Sequence, residues 1–171
     1  FRVTSLSFGA NRAFQNLAGA SRVTASAELG LSHVAGLPDP GTLRYGRSDD
    51  YGVAQVTGGT ACVEGTTVGK QCPLDGFVTK NAWGYRLRVA GIYPGAMMGA
   101  TLTPSFTFGH DVSGYSHDGV FIEGRKTLRP AVRAEWGKQY FADLIYTRFQ
   151  GGKYFGQVDR DTLVLAAGAR F

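Results

Sequence analysis

The stretch Trp83-Gly84-Tyr85-Arg86-Leu87-Arg88-Val89 places a large apolar side chain at every second position and glycine or arginine between them. Strict alternation is the signature of a β-strand with one apolar and one polar face, because successive side chains point to opposite sides of the pleat. The pattern recurs along the chain. Val23, Ala25, Ala27, Leu29 and Leu31 alternate with Thr24, Ser26, Glu28 and Gly30. Ala100, Leu102, Pro104, Phe106 and Phe108 alternate with Thr101, Thr103, Ser105 and Thr107. Leu128, Pro130, Val132, Ala134 and Trp136 alternate with Arg129, Ala131, Arg133 and Glu135, and Tyr140, Ala142, Leu144 and Tyr146 with Phe141, Asp143, Ile145 and Thr147. Leu163, Leu165, Ala167, Ala169 and Phe171 close the series.

These segments predict about seven strands, near 2–12, 22–34, 82–93, 97–110, 126–136, 140–150 and 161–171, with the faces of the first ambiguous. Tyr93-Pro94-Gly95 and Gly137-Lys138-Gln139 read as tight turns, whereas 36–80, 112–124 and 151–157 read as longer loops. Short turns on one side and long loops on the other is the outer-membrane barrel pattern, with 36–80 a long extracellular loop. On this registry Tyr93, Trp136, Tyr140 and Phe171 fall at the turn ends of their strands, on the apolar side. Trp83 and Phe108 fall at the opposite rim. Amphipathic rings favour such membrane interfaces.

Composition narrows the choice. The 171 residues are 43% hydrophobic and 18% charged, and no stretch approaches the roughly 20 apolar residues of a spanning helix. The net charge of +5 is scattered rather than clustered, which argues against nucleic acid. Cys62 and Cys72, with no CxxC and no nearby His, point to a disulfide rather than a metal site, and so to an oxidising compartment. The opening at Phe1, inside a strand pattern and with no signal peptide, reads as a processed or truncated product.

The alternative all-β architecture is a soluble sandwich, whose inner faces also alternate. Its core would be built from large branched residues. Here the apolar face is rich in alanine and carries its Trp and Tyr at strand ends, which favours a membrane barrel. The fold class is therefore all-β, an antiparallel transmembrane β-barrel segment of about seven strands. Seven does not close a bacterial barrel, so further strands from the same or another chain are expected. Pro104 and Pro130 inside strands call for bulges or edge-like local pairing.

Several segments together resemble the DUF1302 family, a domain of unknown function in Gram-negative outer-membrane proteins. They are Gly36-Leu37-Pro38-Asp39 with Leu43-Arg44-Tyr45-Gly46-Arg47-Ser48, Trp83-Gly84-Tyr85-Arg86-Leu87-Arg88, His110-Asp111-Val112-Ser113-Gly114-Tyr115-Ser116 with Glu123-Gly124-Arg125-Lys126, and the ending Gly151-Gly152, Asp159-Arg160-Asp161 and Phe171. The resemblance implies the C-terminal part of a larger outer-membrane barrel. It also implies the handling of hydrophobic or lipid-like compounds, but supplies no reaction. After Ser116 the chain departs from the family pattern, with His117-Asp118 in place of a proline-containing stretch.

Candidate chemistry is sparse. Ser116, His117 and Asp118 are adjacent in sequence, whereas triad members converge from separate positions, so a polar loop is expected. Asp111, Asp118 and Glu123 lack the spacing of a calcium loop, and His33, His110 and His117 lack companion ligands, so no metal and no cofactor is expected. Glu28, Arg86, Arg88, Arg129, Arg133, Glu135, Asp143 and Arg170 form a net-positive lumen-facing wall. Such a wall either biases passage toward anions or merely pairs across strands. The expected function is a non-enzymatic outer-membrane channel or conduit for hydrophobic or anionic solutes. The alternatives are a structural or assembly subunit that completes a barrel or scaffolds a surface complex, and a lipid-modifying enzyme. Expected partners are outer-membrane lipid and the barrel assembly machinery, and no nucleic acid.

Overall fold

The structure, a computed structural model, describes residues 1–47, 51, 73–137 and 139–170. Seven strands make up its regular structure: β1 (Arg2–Leu17), β2 (Ala20–Ala35), β3 (Asn81–Met97), β4 (Ala100–Ser113), β5 (Lys126–Trp136), β6 (Tyr140–Gln150) and β7 (Thr162–Ala169). They form one antiparallel meander in the order β1-β2-β3-β4-β5-β6-β7, with β1 and β7 as open edges. No helix among the described residues is long and apolar enough to cross a membrane.

The alternating pattern of each strand meets that of its neighbours in phase. Leu87 lies opposite Ala27 and Phe108, and Phe108 opposite Leu128. Pro104 lies opposite Val132, Val132 opposite Leu144, and Leu144 opposite Leu165. The ambiguous faces of β1 are settled by Phe8 opposite Leu29 and Ala10 opposite Ala27. A one-residue slip in any of the six pairings would throw a whole strand's apolar set to the other side. No slip runs the length of a strand; the β3–β4 ladder shifts only locally, at Trp83–Gly84 and between Tyr93 and Met97, so one side of the sheet is predominantly apolar.

Connections alternate in length as well. Leu17 pairs Ala20 and Met97 pairs Ala100, leaving two-residue loops at Ala18-Gly19 and Met98-Gly99. Both central residues have positive φ in each: 52° and 77° in the first, 49° and 75° in the second. That is the type I′ hairpin, whose twist matches that of the strands and whose second position favours glycine. The reversal expected at Tyr93-Pro94-Gly95 is therefore misplaced. β3 continues through these residues as a bulge between Tyr93 and Met97, and β4 starts at Ala100 rather than 97. Pro94 cannot donate to a ladder, so pairing lapses there without turning the chain.

The same logic accommodates the other prolines. Pro104 is paired with Val132 in β5 but lies beside the interrupted stretch of the β3 ladder. Pro130 is paired with Phe106 in β4, while the β6 ladder skips from Leu128 to Ala131. Each ring faces the side on which a hydrogen bond is already missing.

The small apolar core lies at the long-connection end. Val34, Leu37 and Val78 form a buried cluster, with Phe77, Phe121 and Tyr154 buried in the same layer of loops. Elsewhere the large apolar side chains are uncovered: Phe8 is 59% exposed, Leu87 45%, Phe106 47% and Leu165 79%. Among the described residues, neither face of the sheet is covered by a second layer of secondary structure.

Candidate functional site

The polar face gathers the charged residues that the sequence singles out. Register places Glu28 opposite Arg86, Ser26 opposite Arg88, Arg88 opposite Thr107, and Thr107 opposite Arg129. Two steps toward the turns, Thr103, Arg133 and Asp143 share a row, and below it Glu135 lies opposite Phe141. Arg170 follows Gly168, which pairs with Phe141, and so belongs to the same face.

The turn end of this face is neutralised internally. Arg133 donates from Nε to Asp143 Oδ1 at 2.8 Å and from Nη2 to Oδ2 at 2.9 Å, a two-pronged match of guanidinium and carboxylate. Arg170 reaches Glu135 at 3.4 Å. Phe141 lies over Gly168, where an added Cβ would stand 2.6 Å from the ring. The guanidiniums of Arg133 and Arg170 stack on this ring at 4.9 and 5.6 Å. These charges fill and solvate the wall.

The middle of the face differs. Among the described residues, no carboxylate makes an ion pair with Arg86, Arg88 or Arg129. Glu28, though in register with Arg86, accepts from the Ser7 hydroxyl at 2.8 Å instead. Arg88, Arg129 and the Arg133–Asp143 pair, with Thr103, Ser105 and Thr107, line a groove of about 380 Å³.

At the long-connection end, a hairpin spanning 114–125 folds over this same face. It is closed by the Tyr115–Ile122 bridge and by Ser116 N–H donating to the Phe121 carbonyl at 3.0 Å. Phe121, 7% exposed, covers Gly30, where an added Cβ would come within 2.8 Å of the ring. Asp118, Val120 and Phe121 line a second groove of about 270 Å³ with Ser7, Glu28 and Arg86. The hairpin base is held by Asp111, 6% exposed, whose Oδ2 accepts from Arg125 Nε at 2.6 Å and from Ile122 N–H at 3.2 Å. Arg125 in turn stacks on Phe155 at 4.9 Å.

Beside the hairpin, the remaining loops knit into a cap. Asp75 accepts from the Tyr154 hydroxyl at 2.6 Å and from Lys153 at 3.2 Å. Arg47 donates to the carbonyls of Pro73 and Asp75 and stacks on Phe77 at 4.3 Å. Thr79 and Tyr115 exchange hydrogen bonds, joining the cap to the hairpin. Burial raises the Asp75 carboxyl, but its bonds from Tyr154 and Lys153 outweigh burial and hold it below the usual carboxylate range. Burial, reinforced by the charge of Glu123, pushes Tyr115 up to about 12.

The signs follow. A lowered Asp75 stabilises the cap above its unfolded value of 3.8, and that contribution drains away as pH falls through the folded value. A raised Tyr115 stabilises below its unfolded value of 10.0, and that contribution is lost as pH climbs toward 12. Tyrosinate absorbance is therefore expected to show a fraction titrating near 12 that disappears in Tyr115→Phe. Uniform titration of every tyrosine near 10, the ordinary tyrosine value, would contradict this packing.

The apolar side carries aromatic residues toward both rims. Trp83 stands near the long-connection end of β3, where Tyr85, Phe108 and His110 form a cluster with centroids 5.7–6.5 Å apart. At the turn end Trp136 pairs Tyr140, and the Tyr93 hydroxyl donates to the Ala18 carbonyl at 3.5 Å. Charge enters this side at Arg12, which lies opposite Ala25 and stacks on Phe14 at 5.3 Å, leaning toward the turns, and at the long-connection end at Arg2, Lys126 and Arg148, opposite Ala35, His110 and Leu128.

The model of a family described as a protein of unknown function, DUF1302, matches residues 1–171. The chain belongs to the DUF1302 family. No curated protein and no solved structure matches it. In this DUF1302 chain the motif Asp111…Glu123-Gly124-Arg125 is the hairpin clamp: Asp111 engages Arg125, and Glu123 accepts from Gly114 N–H at 2.8 Å. The three carboxylates weighed as calcium ligands thus take separate partners, with Asp118 accepting from the Ser116 hydroxyl at 2.6 Å and from Val120 N–H at 3.1 Å. Ser116 also accepts from Phe121 N–H, so its hydroxyl shapes the hairpin tip. His33 is bonded to Asn81 at 2.7 Å. Cys62, Cys72 and Phe171 lie outside the described residues of this DUF1302 chain.

Sequence reasoning missed the hairpin's position over the sheet, the Asp111–Arg125 clamp and the Phe141 platform. Gly30 and Gly168 carried a signal, since glycine inside a strand marks close approach by another group. Which group approaches was not readable from spacing.

Proposed function

We propose that this chain forms part of a Gram-negative outer-membrane β-barrel, with its apolar side against lipid and its polar side bounding a conduit for hydrophobic or anionic solutes. One observation supports it above the others: an uncovered, predominantly apolar side bordered by aromatic residues at both ends. Trp83 and Tyr93 are ten residues apart on β3, which at about 3.3 Å per residue and a tilt of about 40° corresponds to a height of about 25 Å. That is the height of the apolar band of outer-membrane barrels. The described strands β1 to β6 run from 11 to 17 residues, meeting the roughly 9–11 that a tilted spanning strand requires.

In this reading the open edges β1 and β7 pair with further strands of the same or another chain, since unpaired backbone groups are not tolerated in hydrocarbon. The barrel assembly machinery inserts the protein. The test is sucrose-gradient fractionation followed by planar-bilayer conductance. Outer-membrane recovery with discrete conductance steps is expected, whereas recovery in the soluble fraction contradicts the reading.

The open edges also favour a second reading, in which these strands complete a barrel or scaffold a surface complex without conducting. Folded, outer-membrane-resident protein with no conductance would select it.

A further inference from the structure

Seven of the arginines, on β3 to β6, in the hairpin clamp and just beyond β7, divide into two groups. Arg125, Arg133, Arg148 and Arg170 each have an acidic partner, Asp111, Asp143, Asp161 and Glu135 respectively. Arg86, Arg88 and Arg129, at the centre of the polar face, have none within 4.0 Å among the described residues. Of these, Arg86 stands opposite Glu28, but Arg88 and Arg129 stand in a row of Asn11, Ser26 and Thr107 that contains no acid. Adjacent strands are about 4.8 Å apart, so the two arginine backbones are separated by about 9.5 Å, with the short side chain of Thr107 between them.

Two like charges facing each other across one residue repel. A guanidinium presents its donors in a planar fork that matches a carboxylate or phosphate, and Thr107 adds a hydroxyl donor between the forks. The nearest acids are already engaged: Glu28 with Ser7, and Asp143 with Arg133. The 380 Å³ groove that runs from this row to the Arg133–Asp143 pair is large enough for a small oxyanion.

We propose that Arg88 and Arg129, bracketing Thr107, form a binding site for an oxyanion, a carboxylate or phosphate group. The inference deepens the conduit reading and rests on its placing the polar face toward the interior. The same face turns apolar beside the site, where Ile145 lies opposite Ala131 and Val164. The oxyanion is therefore either a free ion or the head group of an amphiphile whose chain lies along β6 and β7.

The test is isothermal titration of the full chain, folded in a non-ionic detergent, with inorganic phosphate and separately with dodecyl phosphate below its micellar concentration. Binding is expected, and each of Arg88→Gln and Arg129→Gln is expected to weaken it by about tenfold or more, since each removes a charged, two-pronged donor. Equal affinity for both probes identifies a free ion. Tighter dodecyl phosphate binding, lost in Ile145→Asn, identifies an amphiphile. If the glutamine variants do not fold, Arg88→Lys and Arg129→Lys keep the charge and remove the fork, and an intermediate loss is expected. Absence of binding to the folded wild-type chain, or equal binding by folded variants, overturns the proposal. A non-conducting protein that binds phosphate at this pair preserves the site and refutes the conduit; a conducting protein that binds neither probe does the opposite.

Discussion

Leu87→Lys is expected to lower the unfolding free energy in lipid vesicles by about 2–4 kcal/mol, the range for a cation at the midplane of a barrel's lipid face. Leu87 is near the middle of β3, 45% exposed, and ringed on its own side by Ala27 and Phe108. Ser105→Lys, on the opposite side of β4, is expected to change stability by less than about 1 kcal/mol, because its side chain meets water. A packed protein core would also resist lysine, so a third variant separates the cases. Leu87→Phe in a close-packed core costs about 1–3 kcal/mol, whereas fluid lipid adapts to the larger ring and the cost vanishes. Urea titration in vesicles of outer-membrane lipid reads all three. Equal small effects at Leu87 and Ser105 would mean that both faces are wet.

The second large effect is expected at the hairpin base. Asp111→Ala removes the acceptor for Arg125 Nε and Ile122 N–H and leaves a guanidinium that is only 14% exposed. Breaking one side of a buried pair costs about 3–5 kcal/mol. Here the loss falls on the connection between β4 and β5, so trypsin is expected to cleave after Arg125 at least tenfold faster than in the wild-type protein (a tenfold ratio is about 1.4 kcal/mol of local opening). Asp111→Ala with Arg125→Leu, which removes that cleavage site and is read by urea unfolding instead, is expected to recover part of the lost stability, because no orphaned charge remains. Unchanged cleavage in the single variant would show that the clamp does not hold the hairpin. Because Phe121 covers Gly30, release of the hairpin is also expected to widen the space over β1 to β3.

Much of the architecture was legible because the deciding signal is local. The run Val23 to Leu31 announces period two without reference to any partner, and so does Trp83 to Val89. Seven strands in one antiparallel sheet follow from repeating that reading. The turn between β3 and β4 was placed too early, because Pro94-Gly95 looks like a stronger reversal than Met98-Gly99. Proline there could equally signal a lapse in the ladder, and the two are not distinguishable without the partner strand. The charged row was legible by parity. Which arginines lack an acid was not, because pairing depends on register across strands: Arg133 meets Asp143 directly, while Arg88 meets Thr107. The loop cap joins Asp75 to Tyr154, 79 residues away, a contact that no local pattern encodes.

The most direct measurement is a nitroxide scan of positions 83–90 on β3, in protein reconstituted into outer-membrane lipid and lacking Cys62 and Cys72. Relaxation by oxygen, which concentrates in hydrocarbon, and by a water-soluble nickel chelate is recorded at each position. The expected result is antiphase alternation: high oxygen and low nickel access at 85, 87 and 89, and the reverse at 84, 86 and 88. Shielding of 85, 87 and 89 from both reagents would place them against other protein and contradict contact with lipid.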